Sequence, residues 1–341
     1  MTKELLKYIC EPKTKSDLSL QDCVYDFDGN IESGFLISNN GEKYPIINGI
    51  PRFINDLSTK TVTSFGDEWN YFNFIDFKIN WLEHTVKNTF GSPDYFKDKI
   101  IVDAGGGSGA QAMWFLEYGA EHVIIMDLSH SVDDVVIKNL KKFRKKVDII
   151  QCSIDQPPIK NYSINGIVNC HNVIQHTASV ENTAKALYEI TGISGEFVFN
   201  CYPKNTNGIF RKIRYFMIYV PIRNILSRSN FFIIITYSRI MALLREIPFF
   251  GIFLEKMGFC VTGDTPKINN ESILNFRIRR FKSTTLNTFD CFGSHSYQHL
   301  KTDNEVKKIC TNLQPDLKKI VNFDKYFQRP SLIGCAIRIF R

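Results

Sequence analysis

Four glycines in five residues, two positions after an acid, mark the first place where this chain could do chemistry: IVDAGGGSGAQA, residues 101–112. Asp103, Gly105, Gly106, Gly107 and Gly109 follow an apolar run beginning at Ile100, and Gln111 to Tyr118 reads as a helix. A strand that turns through glycines into a helix brings backbone N–H groups close to a bound ligand, because glycine tolerates positive φ and carries no Cβ. Gly105, Gly107 and Ala110 fit the G-x-G-x-x-G/A spacing of dinucleotide binding, with Asp127 where a ribose-binding acid belongs. Asp103 argues for another ligand. A carboxylate at the mouth of the site repels a pyrophosphate and attracts ammonium or sulfonium groups. A third acid, Asp155, stands in CSIDQPPI.

Histidine supplies the candidate proton carriers. His171 and His176 stand at and just beyond the end of an apolar segment, INGIVNC, and histidine is the side-chain type suited to proton transfer near neutral pH, so both are candidate catalytic residues. For His176, capping of the following helix or plain packing is the alternative reading. Further on, Asp290, His295, Tyr297 and His299 form a polar cluster. His295 and His299 are four residues apart, but no third and fourth ligand follows at a suitable spacing, so loop polarity accounts for them and no metal is expected.

These groups need a scaffold. Apolar runs at 100–104, 122–127, 147–151, 164–170 and 195–201 predict strands, and 109–119, 131–143 and 178–191 predict helices. Continuous apolar strands alternating with helices mean a doubly wound, mostly parallel α/β sheet whose ligand crevice lies beyond the strands' carboxyl ends. Before it, Asp28-Gly29, Asn40-Gly41 and Asn48-Gly49 are hairpin turns between apolar runs, which predicts a small β unit. Near the end, Thr302 to Glu305 forms a capping box, and LKKIVNF and SLIGCAIRIF supply two last strands.

Composition narrows the class. The 341 residues are 44% hydrophobic, enough for a large core, and nine cysteines are spread singly, as in a reducing cytoplasm. The formal charge is +7, and residues 204–246 hold eight cations, Arg211 among them, against Glu246 alone, which equals the whole excess. The apolar runs of that stretch fall far short of the roughly 20 residues a membrane span needs. The expected form is an amphipathic helical cap; the sharper reading is a platform for an anionic or lipid-linked substrate at the inner membrane surface. Nucleic acid is disfavoured, because the cations are embedded in apolar sequence.

The series Asp103-x-Gly105-x-Gly107-x-Gly109, Asp127 and Asp155 resembles the class I S-adenosylmethionine-dependent methyltransferases, types 11 and 12. The resemblance implies a Rossmann-like seven-stranded sheet with an antiparallel edge. It further implies S-adenosylmethionine under the glycine loop, its ribose on Asp127 beside Leu128, and its adenine near Ile154 and Asp155, with His171 alongside. Ile174-Gln175-His176-Thr177 is similar to the family's LHHT-like ending, with one histidine missing. SFGDEWNYF resembles a segment that lies over the cofactor, making Phe65 and Trp69 further contacts, and the cluster at Tyr297, His295 and His299 resembles an approach to the substrate pocket. YPIINGIPRFI resembles the closing strand of a zinc-ribbon-like domain, but Cys10 and Lys13, then Ser38 and Gly41, stand where its two knuckles would be, so that fold is expected without metal.

The implied organisation is a degenerate ribbon at 1–58, a helical linker over the cofactor at 59–96, a core at 97–203, a helical insertion at 204–295 and the completion of the core at 296–341. The expected activity is methyl transfer to a small-molecule or sugar- or lipid-linked acceptor, as in surface polysaccharide or secondary metabolite synthesis. A quinone-like lipid methyltransferase, a non-catalytic protein keeping the fold, and a nicotinamide oxidoreductase are the alternatives.

Overall fold

The computed structural model describes residues 1–54, 60–204, 208–263, 265, 268, 271–293, 295, 297–328 and 335–341. The expected boundary at 58/59 and residues 331–334 of the last expected strand lie outside them.

The first unit is an antiparallel sheet of β1 (Leu18–Tyr25), β2 (Ile31–Ser38), β3 (Lys43–Ile47) and β4 (Ile50–Pro51). Asn48 and Gly49 both have positive φ, 54° and 71°, the geometry of a two-residue hairpin between β3 and β4. Where a second metal knuckle would sit, the Glu42 N–H donates to Ser38 Oγ at 2.9 Å and closes a hydrogen-bonded turn. The buried Arg52 fastens this sheet to the core: it donates to Gln151 Oε1 at 2.6 Å and pairs with Asp133. Arg52→Ala leaves the Gln151 amide oxygen without its buried donor, and a loss of about 1–2 kcal/mol is expected in urea unfolding. Asp133→Asn, at the more exposed end of the same pair, costs less.

Helix α1 (Lys60–Phe72) leads into the main sheet. That sheet begins with β5 (Ile100–Ala104), followed by α2 (Ala110–Glu117), β6 (His122–Asp127), β7 (Val147–Gln151), β8 (Ile167–Cys170), α3 (Val180–Ile190) and β9 (Glu196–Phe199). After β9 come short helices at Ile209–Arg214, Val220–Leu226 and Phe250–Met257, with the longer α4 (Phe231–Arg245) and α5 (Ile273–Phe292). Helix α6 (Asp303–Leu313) starts at the expected Thr302–Glu305 capping box, and β10 (Ile320–Val321) and β11 (Ile337–Phe340) close the chain.

The seven strands run in the order β10-β11-β9-β8-β5-β6-β7. β5 to β9 pair in parallel, and β11 is antiparallel to both neighbours, as the resemblance implied. Nearly every residue of β5 to β9 is buried, which is why they read as unbroken apolar runs. Strand order reverses between β5 and β8, and that reversal opens the crevice at their carboxyl ends.

Three expectations need correction. Residues 131–143 are not one helix: 3-10 turns at His130–Asp133 and Lys141–Lys146 flank a short helix at Val135–Asn139. Ser131 Oγ donates to the Gly107 carbonyl at 2.8 Å, tying the segment's start to the glycine loop, and six cations between Lys138 and Lys146 repel one another along its end. The expected strand at 164–170 is confined to β8, because Ile164 bridges only to Thr191. The strand at 195–201 stops at Phe199, because Asn200 turns aside to pair with Asn172.

Candidate functional site

At the end of β5 the chain passes through Gly105 and Gly107 at φ +80° and +56°, then Gly109 at +74° opens α2. A Cβ on Gly105 would lie 2.3 Å from Val173 Cγ1, and one on Gly107 would lie 2.8 Å from the Trp69 ring. The missing side chains therefore let the loop pass between β8's exit and α1. Asp127, at the end of β6, accepts from the Gly107 N–H at 2.7 Å and from the Ser129 N–H and hydroxyl at 2.8 and 2.6 Å. Burial raises its pKa against those bonds. Asp103 is also buried; Asn169 donates to its Oδ1 at 3.0 Å, while Oδ2 has no partner. Burial, opposed by that bond and helped by Asp127, pushes the Asp103 pKa up to about 7.

The crevice is a cavity of about 550 Å³. Of the residues singled out from sequence, Gly105, Gly106, Gly107, Asp127, Leu128, Ile154, Asp155, His171, His176, Phe65, Trp69 and Tyr297 all line it. Asp103 and Gly109 do not line it, which corrects the placing of Asp103 at the mouth of the site: its side chain is buried. Arg211 is exposed on the helix Ile209–Arg214 and does not line the cavity. His299 does not either; its backbone N–H donates to the Gln175 carbonyl at 2.8 Å and its ring stacks on Tyr297. The reciprocal Asn172–Asn200 bonds, 2.7 Å each, hold Asn172 at φ +60° between His171 and Val173.

Opposite the glycine loop, the cavity ends in a polar cluster. His176 Nε2 lies 3.4 Å from Asp290 Oδ1, and the Tyr202 hydroxyl donates to Asp290 Oδ2 at 2.6 Å. His295 is buried, stacked on Phe65 at 4.0 Å, with its Nε2 3.4 Å from Glu68 Oε2. This corrects the reading of His295 as loop polarity. The capping reading of His176 fails as well, since α3 is capped by Ser179. Burial, reinforced by the Asp290 charge, raises the Glu68 pKa well above the carboxylate range. Burial also opposes ionisation of Asp290, but the His176 and His295 imidazoles outweigh it and hold that carboxyl low. Burial brings His295 down to about 4.

Glu68, Tyr202 and Asp290 were not among the site residues chosen from sequence. Tyr202 carries no signal beyond its place after β9. Glu68 stands in SFGDEWNYF beside two chosen residues, and Asp290 stands in the polar cluster ahead of Thr302; their shared cavity was the missing information.

Comparison with known proteins bears on the sheet itself. The family model described as a methyltransferase domain matches residues 102–199. These residues are a methyltransferase domain. The match runs from β5 to β9 and so takes in the glycine loop, Asp127, Asp155 and His176. S-adenosylmethionine is the cofactor that goes with this domain, and the cavity fits it: an orphaned buried carboxylate oxygen on Asp103 stands behind a loop that side chains would fill. Protein arginine N-methyltransferase 1 of Saccharomyces cerevisiae is 28% identical over 112 residues, 30% of this chain and 32% of its own length. Among solved structures, a provisionally assigned methyltransferase of Bacillus halodurans shares 20% identity at a TM-score of 0.32, covering 38% of this chain and 54% of that one. An S-adenosylmethionine-dependent methyltransferase of Mesorhizobium loti shares 22% at 0.26, covering 31% and 47%. The chain thus spans about a third of the yeast relative and about half of these solved chains.

Proposed function

We propose that this chain transfers a methyl group from S-adenosylmethionine to a small-molecule or sugar- or lipid-linked acceptor, with residues 204–295 serving as the substrate cap. One observation carries the reading: a single cavity joins the glycine loop, Asp127 and Asp155 to the polar end built by His176, Asp290 and Tyr202. The cofactor supplies an electrophilic methyl carried on a sulfonium. Gly105, Gly106 and Gly107 let it approach the backbone, Asp127 receives the ribose hydroxyls beside Leu128, and Asp155 with Ile154 takes the adenine. Phe65 and Trp69 cover it from α1 and exclude water. The acceptor occupies the other end, where Tyr297, His176 and Tyr202 meet its polar groups. Holding donor and acceptor in near-attack geometry supplies most of the acceleration such a transfer needs.

The decisive experiment is titration calorimetry with S-adenosylmethionine, S-adenosylhomocysteine and NADH. Micromolar binding of the first two and none of the third is expected; binding of NADH alone would replace methyl transfer with hydride chemistry.

The lipid-linked acceptor rests on the cap. Exposed Ile209, Phe210, Ile213, Phe216 and Met217 repeat at helical spacing along one face, and exposed Phe232, Ile233, Ile240 and Leu243 do so along α4. Exposed Arg211, Lys212, Arg228 and Arg239 lie among them. Apolar groups that enter the acyl boundary, with cations that meet headgroups, suit an anionic bilayer surface. No described helix is long and apolar enough to cross a membrane. Co-sedimentation with phosphatidylglycerol vesicles is expected to exceed that with phosphatidylcholine by about tenfold at low salt, since each cation near such a surface contributes about 1 kcal/mol. Phe210→Asp with Phe216→Asp should abolish it while leaving S-adenosylhomocysteine binding unchanged. Equal sedimentation with both lipids would remove the membrane from this reading.

A further inference from the structure

We propose that His176, Asp290 and His295, with Glu68 beside them, bind a divalent transition-metal cation. His176 Nε2, Asp290 Oδ1 and His295 Nε2 all lie within 4.8 Å of one another, with Asp290 Oδ1 3.4 Å from the first imidazole and 3.7 Å from the second. Glu68 Oε2 is 3.4 Å from His295 Nε2. Ligand atoms held about 2.0–2.2 Å from a zinc-sized ion stand roughly 3–3.5 Å apart, so the two Asp290 edges and the Glu68–His295 edge need only small adjustment, while the two imidazoles close on each other around the ion.

The hydrogen bonds around the cluster point the same way. His176 Nδ1 lies 3.2 Å from the Tyr297 carbonyl oxygen, which can only accept, so that nitrogen carries a proton and Nε2 is the ring atom left to meet a cation. Asp290 Oδ2 is satisfied by the Tyr202 hydroxyl, which leaves Oδ1 facing both imidazoles. His176 Nε2, His295 Nε2 and both Glu68 oxygens are buried without a hydrogen-bond partner. Buried polar atoms that converge without hydrogen bonds to one another are costly unless a cation joins them.

Two imidazoles and a carboxylate form a donor set that zinc, iron(II) and cobalt(II) select over magnesium or calcium, and outer partners already steady His176 and Asp290. A dication also favours the ionised forms of Glu68 and Asp290 in the interior. His176 and Asp290 line the cavity, so an acceptor hydroxyl could complete the coordination and lose its proton to solvent more readily. That role rests on the methyl-transfer reading; the site itself does not.

The test is metal content. Full-length protein stripped with EDTA, then dialysed against zinc chloride and freed of excess, is expected to retain about one zinc per chain by mass spectrometry. Cobalt(II) in its place should show ligand-field absorption. Asp290→Asn and His295→Gln should each hold less than about a tenth as much zinc while still binding S-adenosylhomocysteine, which reports an intact fold. Glu68→Gln replaces either of them if it loses that binding. Wild-type protein that retains no more zinc or cobalt than these substituted proteins overturns the proposal and leaves a proton-sharing network. Stoichiometric metal in protein that binds no S-adenosylhomocysteine upholds the site and fails the methyl-transfer reading instead.

Discussion

Asp127→Ala is expected to weaken S-adenosylmethionine binding about a hundredfold or more, roughly 3 kcal/mol, in titration calorimetry. The carboxylate is the acceptor for three donors at once, the Gly107 N–H and the Ser129 N–H and hydroxyl. Truncation removes the acceptor for the ribose hydroxyls and leaves the Gly107 N–H, at the centre of the glycine loop, without its partner. Each buried polar group orphaned in this way costs about 1–3 kcal/mol. Asp127→Asn retains one acceptor oxygen for Gly107 and should lose only about tenfold. Binding by the alanine variant within a few-fold of wild type would remove the ribose role from Asp127.

Asp103 gives the second large effect, and its sign runs opposite for folding and for binding. With the folded pKa at about 7 against an ordinary value of 3.8, the folded state holds a proton that the unfolded chain has released between those pH values. The stability this confers is fully present below about pH 4 and is lost as pH rises through 7, about 4 kcal/mol at most. Asp103→Asn should flatten that dependence and raise the melting temperature at pH 8, since the Asn169 amide keeps an acceptor at Oδ1. A cationic ligand favours the ionised carboxylate, so S-adenosylmethionine should bind up to about fivefold tighter at pH 7 than at pH 6 in the wild type and show no such gain in the variant. Equal affinity at both pH values in the wild type would disconnect Asp103 from the cofactor.

Much of the cofactor end was legible in the chain because it is local. The apolar run of β5, its glycines and the acid closing β6 lie within 28 residues, and strand periodicity alone fixes their relative places. The helix expected at 131–143 failed for a reason invisible to periodicity: Ser131 is bonded to the Gly107 carbonyl, a contact across the loop. The acceptor end was the least legible. Glu68 and His295 are 227 positions apart, and no pattern within either segment announces that α1 and the exit of α5 meet. Apart from Asp290, no ligating partner stands near His295 in sequence; the fold brings His176, Asp290 and Glu68 to it from three separate elements.

Phe65, Glu68 and Trp69 occupy one and a fraction turns of α1, and all three line the cavity. Trp69 lies against Gly107, and Phe65 stacks on His295. The separation between the two ends of the cavity is thus measured by helical pitch rather than by loop length. One residue inserted between Phe65 and Glu68 would rotate everything after it by about 100° and turn Glu68 and Trp69 away from their partners. This short stretch of helix acts as a ruler, tolerant of exchange at its outer face and intolerant of any change in length.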